Sequence, residues 1–275
     1  MRPIPIFMYH HINTNKGDMV TVTLDVFEAQ MKFLAEAGCR TLSADELVKS
    51  ISGNMETAKK AVAITFDDGY LDNYQYAFPI LKRYNIKAII FIVVDWVGKS
   101  SELGSPIEAF GGKVRSLELK TKKLPNHNEC KRLINEGKIS EVIMSWDMVK
   151  EMKESGLIEF YSHTMSHKRC AELSPDELSK ELRDSKKIIE EKLDKACSYL
   201  CWPKGSYNEG AIRIAREIGY KALFTTKRGV VKKDSDMSCI ERIVVKDNLL
   251  WFKNRVRIYT TPVLSDIYLA VRGKE

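Results

Sequence analysis

The chain has 275 residues, 44% of them apolar and 29% charged, with 15 Gly and 8 Pro. That is room for a sizeable buried core and an ordinary globular balance, which excludes a disordered chain, a collagen-like repeat and a coiled coil. Forty-four Lys and Arg against 37 Asp and Glu leave a formal charge of +7, which favours anionic partners, although no nucleic-acid motif accompanies the excess.

The first apolar segment, residues 4–9, reads as a strand and runs into Tyr9-His10-His11-Ile12. A helix is expected over 25–37, ended by Gly38, and Ser43 with Glu46 forms a capping box that opens a second, short one. Residues 61–66 are continuously apolar, as in a strand buried on both faces. A helix around 73–84 and a strand over 87–94 follow. Residues 99–143 break the rhythm at Gly104, Gly111, Gly112 and Pro125 and carry Lys113, Arg115, Lys120, Lys122 and Lys123 against Glu118. They read as a basic insertion over one end of the fold, and as the candidate contact for an anionic surface or membrane. A helix over 146–155 and a strand over 157–161 restore the pattern. Ser174, Pro175 and Glu177 then open a long charged helix. Strands over 198–202, 221–225 and 240–245 close the series, with helices over 209–218 and 249–258.

Seven alternations of strand and helix imply a parallel sheet covered by helices. A closed barrel suits them better than an open doubly wound sheet, because no glycine-rich phosphate loop follows the early strands. The expectation is one α/β barrel domain over 1–275, interrupted at about 99–143, with chemistry at the C-terminal strand ends. The longest apolar runs fall short of a membrane span, and the N-terminus lacks a signal-peptide pattern, so a cytoplasmic location is expected. Six scattered cysteines then read as reduced thiols.

Three polar clusters fall where strands end. Asp67-Asp68-Gly69 follows the buried run, and two adjacent carboxylates there need a cation or hydrogen bonds to hold them. The plainer alternative is an Asp-Gly turn capping the next helix. His163 and His167 stand four apart after the strand over 157–161, in a chain with only five histidines. They are either two hydrogen-bonded loop residues or two metal ligands. With Asp68 they would make three protein ligands, which is a catalytic rather than a structural complement. Cys201-Trp-Pro-Lys-Gly205 is the third cluster, a turn when taken alone.

Together, Thr65-Phe-Asp-Asp-Gly69, Ser162-His-Thr-Met-Ser-His167 and Trp202-Pro-Lys-Gly205 resemble the motifs of the polysaccharide deacetylase family, the NodB-homology carbohydrate esterases. The resemblance spans roughly residues 4–245 and leaves 99–143 unmatched. It implies a distorted (β/α)7 barrel, a divalent metal and hydrolytic removal of acetyl groups from an acetylated glycan. The metal is most often zinc, with cobalt, nickel, iron or manganese as alternatives. It implies Asp67 as general base; Asp68, His163 and His167 as metal ligands; and the main-chain N–H of Lys204 as oxyanion donor. Many members carry Arg where this chain has Cys201, and Arg242 is the candidate replacement for orienting the base. The family's acid is usually a histidine near the C-terminus, and none follows His167 here. Tyr9-His10-His11-Ile12 resembles the N-terminal motif of a circularly permuted branch acting on poly-N-acetylglucosamine-type polymers, which makes His10 the candidate acid and His11 the weaker one. Trp146 resembles an aromatic of that branch and is expected either to line the acetyl pocket or to pack at a helix start. An N-deacetylase of amino-sugar glycans is the leading reading. A deacylase of a formylated or acetylated lipid-linked sugar and an inactive glycan-binding barrel are the alternatives.

Overall fold

The computed structural model describes residues 2–56, 58–104, 124–265 and 267. In chain order the strands are β1 (Ile6–Tyr9), β2 (His11–Asn13), β3 (Thr21–Thr23), β4 (Arg40–Thr41), β5 (Ala61–Asp68), β6 (Ala88–Ile92), β7 (Ile158–Ser162), β8 (Tyr199–Cys201), β9 (Ala222–Arg228) and β10 (Ile240–Val244). β1 pairs with both β5 and β10, so β1-β5-β6-β7-β8-β9-β10 closes into a ring in which every neighbour is parallel. This is the seven-stranded barrel expected from the alternation. Its distortion has two visible sources. β7 and β8 share a single registered pair, Ser162 with Leu200, and the β9–β10 register slips between Ile240 and Arg242.

The helices lie outside the ring: α1 (Leu24–Glu36), α2 (Ala44–Ile51), α3 (Phe78–Arg83), α4 (Val94–Leu103), α5 (His127–Asn135), α6 (Trp146–Glu154), α7 (Pro175–Leu193), α8 (Glu209–Glu217) and α9 (Leu249–Tyr259). Helices on one face and barrel packing on the other explain the long apolar strands: all eight residues of β5 are buried, its two aspartates included. Both capping boxes are formed, Ser43 with Glu46 and Ser174 with Glu177.

Three local departures bear on the site. The helix expected over 73–84 splits into a π-helical turn, Asn73–Ala77, followed by α3. Pro79 has no N–H with which to carry a regular α-ladder through the junction. β2 and β3 form a small parallel pair beside the barrel mouth that the sequence pattern does not announce. The stretch expected as an insertion is in part regular, since α4 runs on to Leu103 and α5 occupies its second half. The lysine cluster of 113–123 lies outside the described residues. Among the described residues no helix is long and apolar enough to cross a membrane.

Candidate active site

The C-terminal ends of β1, β5, β7 and β8 bring the three sequence clusters and His10 to one pocket of about 420 Å³. Its walls include His10, Asp67, Asp68, Trp96, His163, His167 and Lys204. Backbone conformation is unusual here. Seven non-glycine residues among those described have positive φ, and four of them, Asp68, Thr164, His167 and Lys204, belong to this site. Strain held at one pocket argues against an ordinary Asp-Gly turn and loop histidines, because such conformations persist only where the surroundings impose them. Gly69, at φ +83°, turns the chain so tightly that a Cβ would lie 3.1 Å from Ile92 Cγ2.

Asp67 is the better-satisfied aspartate. Arg242 reaches it from β10 in a bidentate pair, with Nη1 2.7 Å from Oδ1 and Nη2 2.8 Å from Oδ2. The guanidinium is itself fixed, Nε donating to Thr225 O (2.9 Å) and Nη1 to Thr65 Oγ1 (3.2 Å). Burial pulls the Asp67 carboxyl upward, but the Arg242 charge outweighs it and holds the group below its usual range. A fork of this geometry fixes the carboxylate plane as well as its charge.

Cys201 explains how the guanidinium fits. Its small side chain is fully buried, and Arg242 Nη2 lies 3.0 Å from its sulfur. Asp67, His163 and Cys201 do converge closely enough to suggest a metal set. The guanidinium already fills that position, so a cation there would meet a fixed positive charge.

Asp68 faces the other way. Its Oδ1 lies 3.3 Å from His163 Nε2 and 3.2 Å from His167 Nε2, yet this buried oxygen has no hydrogen-bond partner. Burial would raise its pKa, but His167 and His163 together hold it well below the ordinary carboxylate range. Burial would equally lower His163, and Cys201 and Asp68 raise it well above the usual imidazole value. Positive charge is what this corner stabilises. His163 Nδ1 is 2.8 Å from the carbonyl of Cys201, which makes Nδ1 the protonated nitrogen and turns the Nε2 lone pair inward. The loop carrying His167 is tied down by the buried Glu181, which accepts from the N–H groups of Met165 and Ser166 (3.2 and 3.0 Å) and from the Ser166 hydroxyl. One carboxylate oxygen without a donor and two inward imidazole nitrogens form a donor set that suits a divalent ion such as zinc.

A family model for polysaccharide deacetylases matches residues 54–223. The chain belongs to the polysaccharide deacetylase family. YxkH of Bacillus subtilis (strain 168), named for the same family, is 30% identical over 246 residues, covering 90% of this chain and 72% of that protein. Poly-beta-1,6-N-acetyl-D-glucosamine N-deacetylase of Staphylococcus aureus is 24% identical over 250 residues, 88% of this chain and 73% of its own. Among solved structures, the Streptococcus pyogenes deacetylase PplD, described in complex with acetate, superposes with a TM-score of 0.72 at 27% identity, over 90% of this chain and 93% of that one.

The remaining expected residues of this deacetylase-family chain fall as follows. His10 lines the pocket, with Nε2 3.9 Å from Asp67 Oδ2. Burial lowers its pKa, partly offset by Asp67 and Asp68. His11 points elsewhere: it is fully buried, stacks on Tyr70 with centroids 3.8 Å apart, and has Nδ1 2.8 Å from Asp72 Oδ2. Lys204 reaches the pocket wall at φ +56°, and Gly205 beside it is obligatory, since a Cβ would sit 2.1 Å from Thr226 Oγ1. Trp146 takes the second of its two expected places, packing at a helix start. It begins α6 buried in the core, its main-chain N–H donating to Ser101 Oγ (2.8 Å), and it is not among the pocket walls. The indole on the wall is Trp96 of α4, 5.1 Å from the His167 ring. Sequence reasoning passed over Trp96 because it follows the strand β6, at whose end no polar motif stands. His127 on α5 was likewise missed as a pocket residue, because it sits in the stretch read as an insertion.

Proposed function

We propose that the protein is a metal-dependent hydrolase that removes N-acetyl groups from an amino-sugar polysaccharide or glycan precursor. One observation carries this reading: a carboxylate held ready by Arg242 and a second carboxylate with two histidines meet at one pocket. The names of the relatives favour an N-acetylglucosamine polymer as the substrate class.

Asp68, His163 and His167 would hold the divalent metal, zinc by donor type. Bound there, it supplies a Lewis acid for the acetyl carbonyl and makes water a stronger acid. The chain's own groups do the rest. Asp67, ionised and fixed in plane by Arg242, accepts a proton from the attacking water. The main-chain N–H of Lys204 donates to the oxygen that gains charge as the carbonyl becomes tetrahedral. His10 gives a proton to the departing sugar nitrogen as the C–N bond breaks, and the products are acetate and a free amine. Trp96 walls the pocket beside His167 and limits water there.

The test is acetate release from β-1,6- and β-1,4-linked N-acetylglucosamine oligomers by protein as purified, after chelation, and after zinc is restored. Release that disappears with chelation and returns with zinc supports the proposal. Release that ignores chelation rejects the metal, and no release from any acetylated glycan rejects the deacetylase.

A further inference from the structure

Behind His10 lies a hydrogen-bonded series that the chemistry above does not use. Asp72 is buried and accepts from Asn73 Nδ2 on Oδ1 (2.8 Å) and from Asn13 Nδ2 on Oδ2 (3.1 Å). With both oxygens engaged by amide donors, the nearby His11 Nδ1, 2.8 Å away, is a donor too. A neutral His11 ring then carries a bare Nε2. That nitrogen lies 3.1 Å from His127 Nδ1, so His127 Nδ1 bears the hydrogen and donates. The order Asp72, His11, His127 thereby fixes the tautomer of a residue on the pocket wall. His127 is left with an unprotonated Nε2. Burial is the largest cause that pushes its pKa down, to about 4, which agrees with a neutral ring.

Outside the aspartates, the other side-chain acceptors on this wall, the Tyr70 and Thr226 hydroxyls and the Asn135 amide, also donate, whereas a neutral His127 Nε2 only accepts. Asp67 is taken by Arg242 and Asp68 faces the two histidines. Lys131 and Lys204 on the wall only donate through their side chains. A sugar ring presents several hydroxyl donors, and a buried hydroxyl needs an acceptor. α5 supplies the wall at helical spacing, with His127, Lys131, Ile134 and Asn135 facing the pocket.

We infer that the Asp72–His11–His127 series presents His127 Nε2 as a hydrogen-bond acceptor for a hydroxyl of the bound sugar, which makes His127 a specificity-determining residue. This rests on the deacetylase reading above and adds the group that recognises the sugar rather than the acetyl.

The test has two readouts. In the wild-type protein, ¹⁵N spectra of labelled histidine should show His127 neutral with hydrogen on Nδ1. A His127 ring with hydrogen on Nε2, or a doubly protonated His11, overturns the inference whatever the activity. Kinetics then compare an N-acetylglucosamine oligomer with 4-nitrophenyl acetate, which has no sugar. A single hydrogen bond of this type is worth about 2- to 10-fold in binding. His127→Ala should lose about that much more on the oligomer than on the ester, chiefly through KM, and His127→Gln, which keeps an acceptor, should recover part of it. Equal losses on the two substrates, or no loss on an oligomer that the wild type does cleave, also overturn it. A wild-type protein that cleaves neither substrate is a different result, and it rejects the deacetylase reading itself.

Discussion

Asp67 has both carboxylate oxygens held by one guanidinium from β10, whereas Asp68, next in the chain, faces two imidazoles beside Tyr70 and keeps one oxygen without a donor. The two are buried alike, at 2% and 4% exposure. Burial alone would make both poor anions, so their separate roles come from the company each keeps. The partner of Asp67 is covalently part of the chain and cannot leave. Asp68 instead faces two imidazoles, His163 and His167. Neighbours one peptide apart thus differ as a carboxylate tethered within the chain and a carboxylate facing two imidazoles, and Asp68 itself has the left-handed backbone.

The comparison breaks most completely at Asp68. Asp68→Ala should abolish tight zinc binding, measured by metal analysis after dialysis, and reduce acetate release to background. Retention of stoichiometric zinc would mean that this corner is not the metal's. Asp67→Asn comes next. It should keep the metal and lower kcat by about 10²–10⁴-fold, the usual worth of general-base assistance. If the variant loses its zinc instead, the two aspartates have been assigned the wrong way round.

Arg242→Met attacks the fixed side. A buried carboxylate left without its partner costs on the order of 3–5 kcal/mol, to be read as a lowered denaturation midpoint. Adding Cys201→Arg in that background should recover part of the loss, because a guanidinium from 201 would enter the space that Arg242 vacates. A double variant no more stable than Arg242→Met would show that the position, and not only the charge, is needed.

The smallest contrast concerns the acid. His10→Ala should slow amide cleavage at least about 10-fold more than cleavage of an activated acetate ester, whose leaving group needs little protonation. His11→Ala should show no such selectivity in kcat, its effect on the sugar substrate falling on KM through His127. A larger selective loss at His11 would reverse the assignment.

Much of this was legible in the residues. Largely apolar strand segments ending in Asp67-Asp68 and just before His163…His167 mark both the strands and the ends at which the polar motifs collect. The role of Arg242 was readable only as a candidate. It lies 175 residues from Asp67, and no local spacing reports that a closed ring sets β10 two strands from β9's other neighbour and beside β1. His127 was hidden for the opposite reason: glycines and lysines around it describe a loop, while its meaning depends on His11 lying beneath it. For Trp146 the residues left pocket and helix-start packing both open, and its burial at the start of α6 tells them apart.

The tether of Asp67 also has a consequence for the order in which the molecule becomes competent. β5 carries Asp67 in the first quarter of the chain, but Arg242 arrives on the last strand of the ring. An arginine at 201 would have been synthesised 41 residues sooner. During synthesis the carboxylate therefore waits for almost the whole barrel, and closing contacts at such long separation is slow. Pairing of β10 with β1 thus brings in the guanidinium that holds the Asp67 carboxylate, and a chain released before residue 242 would carry both aspartates and both histidines without that tether.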